Sequence, residues 1–319
     1  MFKLDKSNKS KKILISIIVV VLLIITTLTM YTLYLSNKVQ KHNISKNDTD
    51  LGISKEFKEK IDSNPDIKNI TNIALFGVDS PDDKNENGRS DSIMILTIDN
   101  VHNKLKLTSI MRDSYVNISN HGMDKINHAY SFGGPELAIN TLNSNFDLNI
   151  NDYAMVNFST LPQIIDKLGG VDINIKDYEI PSLSTYGIYS PGEYTLNGEQ
   201  ALTYCRIRYD GNGDYERTER HRAVLNSLFE KFKEQNVADY MSLADTILPL
   251  VKTSLSTTEI IKTGTIILTS GMKNLEQERF PTDEYSSGEI IDDVFYLTFD
   301  KENVKDQIHK YIFEDIKPK

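Results

Sequence analysis

The sequence predicts an α/β layered domain built on a mixed central sheet and preceded by one N-terminal transmembrane helix. Three observations carry that prediction. Residues 13–35 hold no charge. From about residue 71, short apolar runs of strand type alternate with helical patterns. Two of those runs, 92–98 and 104–110, flank Asp99 to Asn103, a connection of hairpin length that puts an antiparallel pair into the sheet.

The apolar stretch from Ile13 to Leu35 would rise roughly 34 Å as a helix, enough for a bilayer core. A signal peptide would have an apolar region about half as long, ending at small residues, and Tyr31, Tyr34 and Leu35 make no cleavage site. Lys3, Lys6, Lys9, Lys11 and Lys12 precede the span against Asp5 alone. By the positive-inside rule residues 1–12 stay in the cytoplasm, and everything after Ser36 lies outside a single-pass cell-membrane protein. Residues 36–70 turn to Lys, Asn, Asp and Ser and read as a juxtamembrane stalk of marginal order. The folded domain is then 71–319.

Within it, IALFGV at 73–78, SIMILTI at 92–98 and KLKLTSI at 104–110 read as strands. Pro135 opens a helix after Gly133 and Gly134, and TLPQIIDKLGG ends on a glycine pair suited to a helix C-terminus. VDINI at 171–175 is a short strand, and 177–194 a polar surface loop. Val224, Leu225, Leu228, Phe229 and Phe232 recur at helical spacing in a long amphipathic helix from Thr218 to Gln235. Helical patterns fill 239–254 and 257–271. The chain closes with one strand in EIIDDVFYLTF and one helix in KENVKDQIHKYIFEDI.

Composition narrows the function. With 39% hydrophobic and 25% charged residues the chain supports one large globular domain or two small ones. Of its 36 basic and 45 acidic residues, five and one precede Ser36, leaving 31 against 44, or −13, for the exterior part. That balance argues against nucleic acid as a partner. Cys205 is the single cysteine, so no internal disulfide can form. P-loop, HExxH, GxSxG and CxxC motifs are absent, which leaves nucleotide, zinc-protease, serine-hydrolase and thiol-redox chemistry without their usual parts. The six histidines are scattered, and His128 and His221 read as packed or surface residues.

Arginine is the informative residue. The chain has eight arginines against 28 lysines, and seven fall in four short segments: Arg89; Arg112; Arg206 and Arg208; Arg217, Arg220 and Arg222. A guanidinium grips phosphate oxygens through a planar fork that an ammonium lacks, so sparing, clustered use suggests an anionic ligand. The competing reading is structural ion pairing with Asp113, Asp210, Glu216 and Glu219. Arg206 and Arg208 would share a face if their segment is extended, and Arg217 and Arg220 if theirs is helical. Asp79 and Asp91 sit at strand ends, where α/β sheets bind ligands, and two carboxylates with phosphate oxygens suffice for Mg²⁺. Turn formation is the alternative for both.

With these residues in place, the chain resembles the LytR-CpsA-Psr family of cell-wall enzymes. The segments that carry the resemblance run in order from Ile73 to Leu228: LFGVDS, GRSDSIMILTID, LTSIMRDSYV, DKINHAYSFGG, IDKLGGVDI, LNGEQALTYCRIRYD and DYERTERHRAVL. The resemblance implies a three-layer α/β/α sandwich with a pocket for a polyprenyl (pyro)phosphate and with Mg²⁺, or Mn²⁺, at the pyrophosphate. It implies transfer of a glycopolymer such as teichoic acid or capsule onto peptidoglycan, at the 6-hydroxyl of N-acetylmuramic acid. Asp79 and Asp91 match the family's metal-associated aspartates; Arg89, Arg112, Arg206, Arg208, Arg217 and Arg220 match its phosphate-binding arginines; Lys125 and Asn127 match a further pocket motif. Asp79, Asp91 and Arg112 are the expected catalytic groups. The family often has glutamines after the position of Arg220; here His221 and Arg222 stand instead and add a potential cation. Residues after about 235 carry no signature. The rival readings are a module that binds the lipid carrier, a pyrophosphatase without transfer, and a membrane-bound regulatory protein. The last is disfavoured by the exterior charge and by a cytoplasmic segment too short for a DNA-binding domain.

Overall fold

The computed structural model describes Thr26 and residues 30–80, 88–208, 214–235, 237–272 and 274–318. Its strands are Gln40–Lys41 (β1), Ile70–Asp79 (β2), Arg89–Asp99 (β3), Lys104–Ile110 (β4), Tyr115–Ile118 (β5), Gly122–Lys125 (β6), Asp152–Asn157 (β7), Val171–Ile175 (β8), Gly192–Leu196 (β9), Lys252–Thr253 (β10), Leu275–Phe280 (β11), Ser286–Ile291 (β12) and Val294–Phe299 (β13). The principal helices are Lys55–Ser63 (α1), His128–Phe146 (α2), Thr160–Lys167 (α3), Gly198–Arg206 (α4), Asp214–Lys233 (α5), Val237–Ile247 (α6), Thr257–Thr269 (α7) and Lys301–Glu314 (α8). Seven strands form one mixed sheet in the order β1-β10-β7-β2-β3-β4-β11. The expected α/β class and mixed sheet are therefore observed.

The central strand β2 is apolar on both faces because both faces are covered. Ala74, Phe76 and Val78 join a cluster with Ile139 of α2 and Ile308 of α8, while Ile73 and Leu75 pack with Met272, Phe229 and Ile266 on the opposite side. Truncating a fully buried member such as Ile95 to Ala should cost about 2–5 kcal/mol. Alternation within β2 thus decides which residues enter which core, and its C-terminal end delivers Asp79 to the rim.

Several expected elements are observed, β8 with the expected bounds and the β3–β4 hairpin, α5, α7 and α8 with ends shifted by up to four residues. Gly133 and Gly134 are non-helical inside α2, so Pro135 does open a helical segment, but a preceding turn begins at His128. Gly169 and Gly170 take φ of 82° and 95° after α3, the left-handed conformation that a C-terminal glycine supplies without strain.

Other expectations are corrected. Residues 36–70 are integral to the domain: β1 pairs with β10, and Leu51, Ile53, Phe57, Ile61 and Ile67 enter the main core. Apolar residues are sparse there, but Phe57 and Ile61 lie one turn apart on α1 and need no more. The 177–194 loop holds short helical turns and leads into β9, which pairs with β8. EIIDDVFYLTF is a hairpin rather than one strand, because Asp292 and Asp293 take φ of 48° and 62°, as a two-residue turn demands. Most of the expected membrane span lies outside the described residues, among which no helix is long and apolar enough to cross a membrane.

Candidate functional site

A cavity of about 500 Å³ runs along β2 and β7, from Leu75 and Ala154 to Asp79 and Phe158. Its inner stretch is apolar, lined by residues such as Met94, Val156, Leu161, Leu225 and Leu228. Its other end carries Asp79, Asp91, Arg206, Arg208 and Arg217. An apolar slot ending in guanidinium and carboxylate groups suits a ligand with a hydrocarbon tail and an anionic head.

A β-bulge aims Asp91. The β2–β3 register passes from Gly77↔Ser92 to Val78↔Ser90, leaving Asp91 without a partner in the ladder. Gly77 permits this close approach, since a Cβ there would lie 2.9 Å from the Ser92 Cβ. Asp91 belongs to β3 rather than to the turn before it, and it is only 7% exposed. Its Oδ1 accepts from Arg112 at 2.8 Å, and Arg208 lies 3.5 Å from Oδ2. Arg217 donates to the Asp91 carbonyl at 3.2 Å. Burial raises the Asp91 pKa, but Arg112, Arg217 and Arg208 outweigh it and hold the carboxyl below its usual range. Asp79 is exposed at the end of β2, opposite Arg89, which is also exposed.

Arg112 leaves β4 and is gripped by three carboxylates: Asp91, Asp214 at 3.0 Å and Asp113 at 3.5 Å from Nε. Asp113 also pairs with Lys125 at 2.8 Å. Burial pulls the Asp113 pKa up, and the Asp214 carboxylate beside it adds to that rise. In Asp214 burial is outweighed by Asp113, Arg217 and Arg112, which bring it down to about 2. Asn127 is buried near Ser90, and its Oδ1 has no hydrogen-bond partner. Sequence reasoning named Asp113 only as a possible ion partner and missed Asp214; the MRDS segment and the start of DYERTERHR were the available signals.

The expected sharing of a face by Arg206 and Arg208 is corrected, because Arg206 ends α4 and the chain turns at Ile207. Both still line the cavity, Arg206 lying over the Phe158 ring with its guanidinium carbon 4.1 Å from the centroid. Arg217 and Arg220 are both on α5, as expected, yet they separate in function. Arg217 is at the cavity, whereas Arg220 is turned to buried Glu179 at 3.1 Å and Glu216 at 3.4 Å. Arg220 also donates to the Ile207 carbonyl at 3.0 Å, fixing the turn that presents Arg208. Of the alternative ion partners, Asp113 and Glu216 act as such; Asp210 lies outside the described residues.

His221 adds no cation. Its Nε2 lies 3.1 Å from the Cys205 carbonyl, and burial, then Arg217, push its pKa down to about 3. Burial pushes the Cys205 thiol up to about 12, which leaves it inert. Among the described residues no group of three or more His, Cys, Asp or Glu could hold a metal. Asp79 and Asp91 on one cavity nevertheless supply the hard oxygen donors that Mg²⁺ takes in ones and twos when phosphate completes its shell.

Residues 29–311 match the LytR_cpsA_psr family. A polyisoprenyl-teichoic acid–peptidoglycan teichoic acid transferase TagU of Enterococcus faecalis is 36% identical over 206 residues, 63% of this chain and 67% of the relative. A TagU of Bacillus licheniformis is 30% identical over 315 residues, 95% of each chain. The solved structure of TagT bound to LIIa-WTA superposes with a TM-score of 0.64 at 26% identity, covering 77% of this chain and 91% of that one.

Proposed function

The chain belongs to the LytR_cpsA_psr family, and on that premise we propose that it transfers a glycopolymer from a polyprenyl-diphosphate carrier to peptidoglycan. The observation that carries the proposal is the two-part cavity, with its hydrocarbon-like inner stretch and its arginine- and aspartate-lined end. Teichoic acid, named for the TagU relatives, is the glycopolymer we assign, and within peptidoglycan we assign the 6-hydroxyl of N-acetylmuramic acid as the acceptor. We read the domain as a three-layer α/β/α sandwich, a reading supported by helices packed on both faces of the sheet, and as one held outside the cell membrane by a single span at residues 13–35.

Phosphoryl transfer needs mainly positioning and charge neutralisation. Arg206, Arg208 and Arg217 hold the diphosphate, with Arg89 at the rim. Arg112 steadies Asp91 and the charge that develops on transfer. Lys125 acts through Asp113, Asn127 beside Ser90, and Arg220 through the Ile207 turn. Asp79 and Asp91 would hold Mg²⁺ or Mn²⁺, which when bound neutralises diphosphate oxygens. The acceptor hydroxyl attacks the sugar-linked phosphorus, the bridging P–O bond breaks, and polyprenyl monophosphate leaves. Asp91 oxygens already accept from arginines, so exposed Asp79 is the better placed to take the hydroxyl proton.

The test is turnover of a polyprenyl-diphosphate-linked glycan in detergent with Mg²⁺ and a peptidoglycan acceptor. We expect monophosphate release in step with glycan appearing on the acceptor. Equal release without acceptor would make the protein a pyrophosphatase, and binding without release would make it a carrier module.

A further inference from the structure

Beyond residue 235 the chain contributes α6, which ends at the cavity, and α7, which packs against the apolar cluster that includes the cavity residue Leu75. Ile247, at the end of α6, and Val251, just beyond it, line the apolar end of the cavity, at the level of Leu75 and Ala154. The same α6 receives the chain at and just after the end of residues 13–35. Residues 30–36 are helical, Tyr34 donates to Asp245 at 2.7 Å, and Lys38 pairs with Asp245 at 3.2 Å. From there Gln40 and Lys41 run parallel to β10, at the end of the sheet order where α6 and α7 attach.

The outer face of α7 is unlike an ordinary solvated helix face. Its exposed positions include Ile261 and Leu268, each 39% exposed and seven residues apart, with Thr258, Thr265 and Thr269 between and beside them. After Lys262 the helix carries no charge. Ile266 and Ile267 meanwhile pack inward against the sheet, so the outward residues are not needed for the core. Near the anchor, Met30 and Leu33 are 72% and 61% exposed.

We infer that α6 and α7 rest on the outer leaflet of the membrane and form the side wall through which a prenyl chain passes from the bilayer into the cavity. The occupant of this surface is the lipid interface itself. Three features support that choice: the chain after residue 30 meets α6, the α7 face is apolar and threonine-rich after Lys262, and the end of α6 lines the apolar end of the cavity through Ile247. An interfacial helix of this type buries its apolar residues at the headgroup boundary. Lateral entry lets the tail slide in while the charged head stays at the rim, so the diphosphate never crosses the apolar stretch, where an unpaired charge is costly. The inference rests on the reading of residues 13–35 as a membrane span.

The absence of tryptophan makes the test clean. Single variants Leu33→Trp, Ile261→Trp, Leu268→Trp and Ile290→Trp of the full chain are reconstituted in bilayers containing phosphatidylcholine brominated at shallow acyl positions. Tryptophan at 261 and 268 should be quenched as at 33, and that at 290, exposed on the distant β12–β13 hairpin, should not. Unquenched 261 and 268 with a quenched 33 would overturn the inference and leave the anchor intact. An unquenched 33 would remove the anchor reading and the inference with it, and quenching at 290 would mean that the whole domain lies on the lipid. In the functional arm, Ile261→Glu combined with Leu268→Glu should raise KM for the lipid-linked donor about tenfold in bilayers, which corresponds to about 1.4 kcal/mol for the pair. KM in detergent micelles and kcat should not change. An equal rise in micelles would mean that the fold, not the membrane contact, had been damaged.

Discussion

Arg217 and Arg220 are three residues apart on α5, yet the structure gives them opposite consequences. Arg217→Lys keeps the charge but cannot serve the Asp91 carbonyl at 3.2 Å and the Asp214 carboxylate at 3.4 Å from one fixed fork. Losing one charge-assisted hydrogen bond costs about 1.5–3 kcal/mol, and if it is felt in the transition state, turnover falls about 10- to 150-fold. Arg220→Ala instead strands Glu179, a 1% exposed carboxylate, without its guanidinium partner. Removing one partner of a buried pair costs about 3–5 kcal/mol of stability. The assay pairs turnover of the lipid-diphosphate donor with thermal unfolding. Arg217→Lys should lose rate with a smaller fall in Tm than Arg220→Ala, which should lose Tm chiefly. If Arg220→Lys, with its fold intact, lost as much rate as Arg217→Lys, Arg220 would serve turnover as strongly as Arg217 and the separation of the two would be wrong.

Other outcomes follow from the same geometry. Asp79→Ala should change stability by less than about 0.5 kcal/mol and lower Mg²⁺-dependent turnover, whereas Asp91→Ala should also lower Tm, because it leaves Arg112 and Arg208 short of an acceptor; equal Tm for the two would contradict the buried placement of Asp91. Asp91 and Asp214 both have depressed pKa values, so the stability they supply is present above the unfolded value of about 3.9 and is lost as pH falls through the folded one. Tm should therefore drop between about pH 4 and pH 2, and Asp214→Asn should flatten that slope. His221→Gln should leave the turnover profile between about pH 5 and 8 unchanged, since His221 is neutral throughout; loss of an acidic limb would show that it titrates. Arg279 donates to Pro281 and Asp283 and lies over Tyr215, so Arg279→Lys should cost about 1 kcal/mol or less in stability with turnover unaltered.

Strands with strong local patterns were legible in advance. KLKLTSI and VDINI coincide with β4 and β8 because their alternation or apolar density leaves one conformation favoured. α1 and the β12–β13 hairpin were not, because Phe57 and Ile61 are two apolar residues in a charged stretch, and an Asp-Asp turn reads as a solvated break. Arginine scarcity pointed to the site, and five of the named residues line its cavity. It could not separate Arg217 from Arg220, since helical spacing puts both on one side of α5 and only packing against β3 or against Glu179 divides them. Asp214 was invisible for a related reason: its role arises from meeting Arg112 across 102 residues of sequence. The bulge that aims Asp91 depends on the fit between Gly77 and Ser92, which no pattern in either strand announces.

The central claim is that the cavity moves a phosphoryl-linked glycan from lipid to wall, and its most direct test follows the sugar-linked phosphorus itself. A donor radiolabelled at that phosphorus is incubated with the full chain, Mg²⁺ and a peptidoglycan oligomer, and the products are separated. The account predicts that the label appears in a phosphodiester on the N-acetylmuramic acid 6-hydroxyl, with one unlabelled polyprenyl monophosphate released per label transferred. Label that stays on the lipid, or that leaves as a free glycan phosphate whether or not acceptor is present, would contradict it.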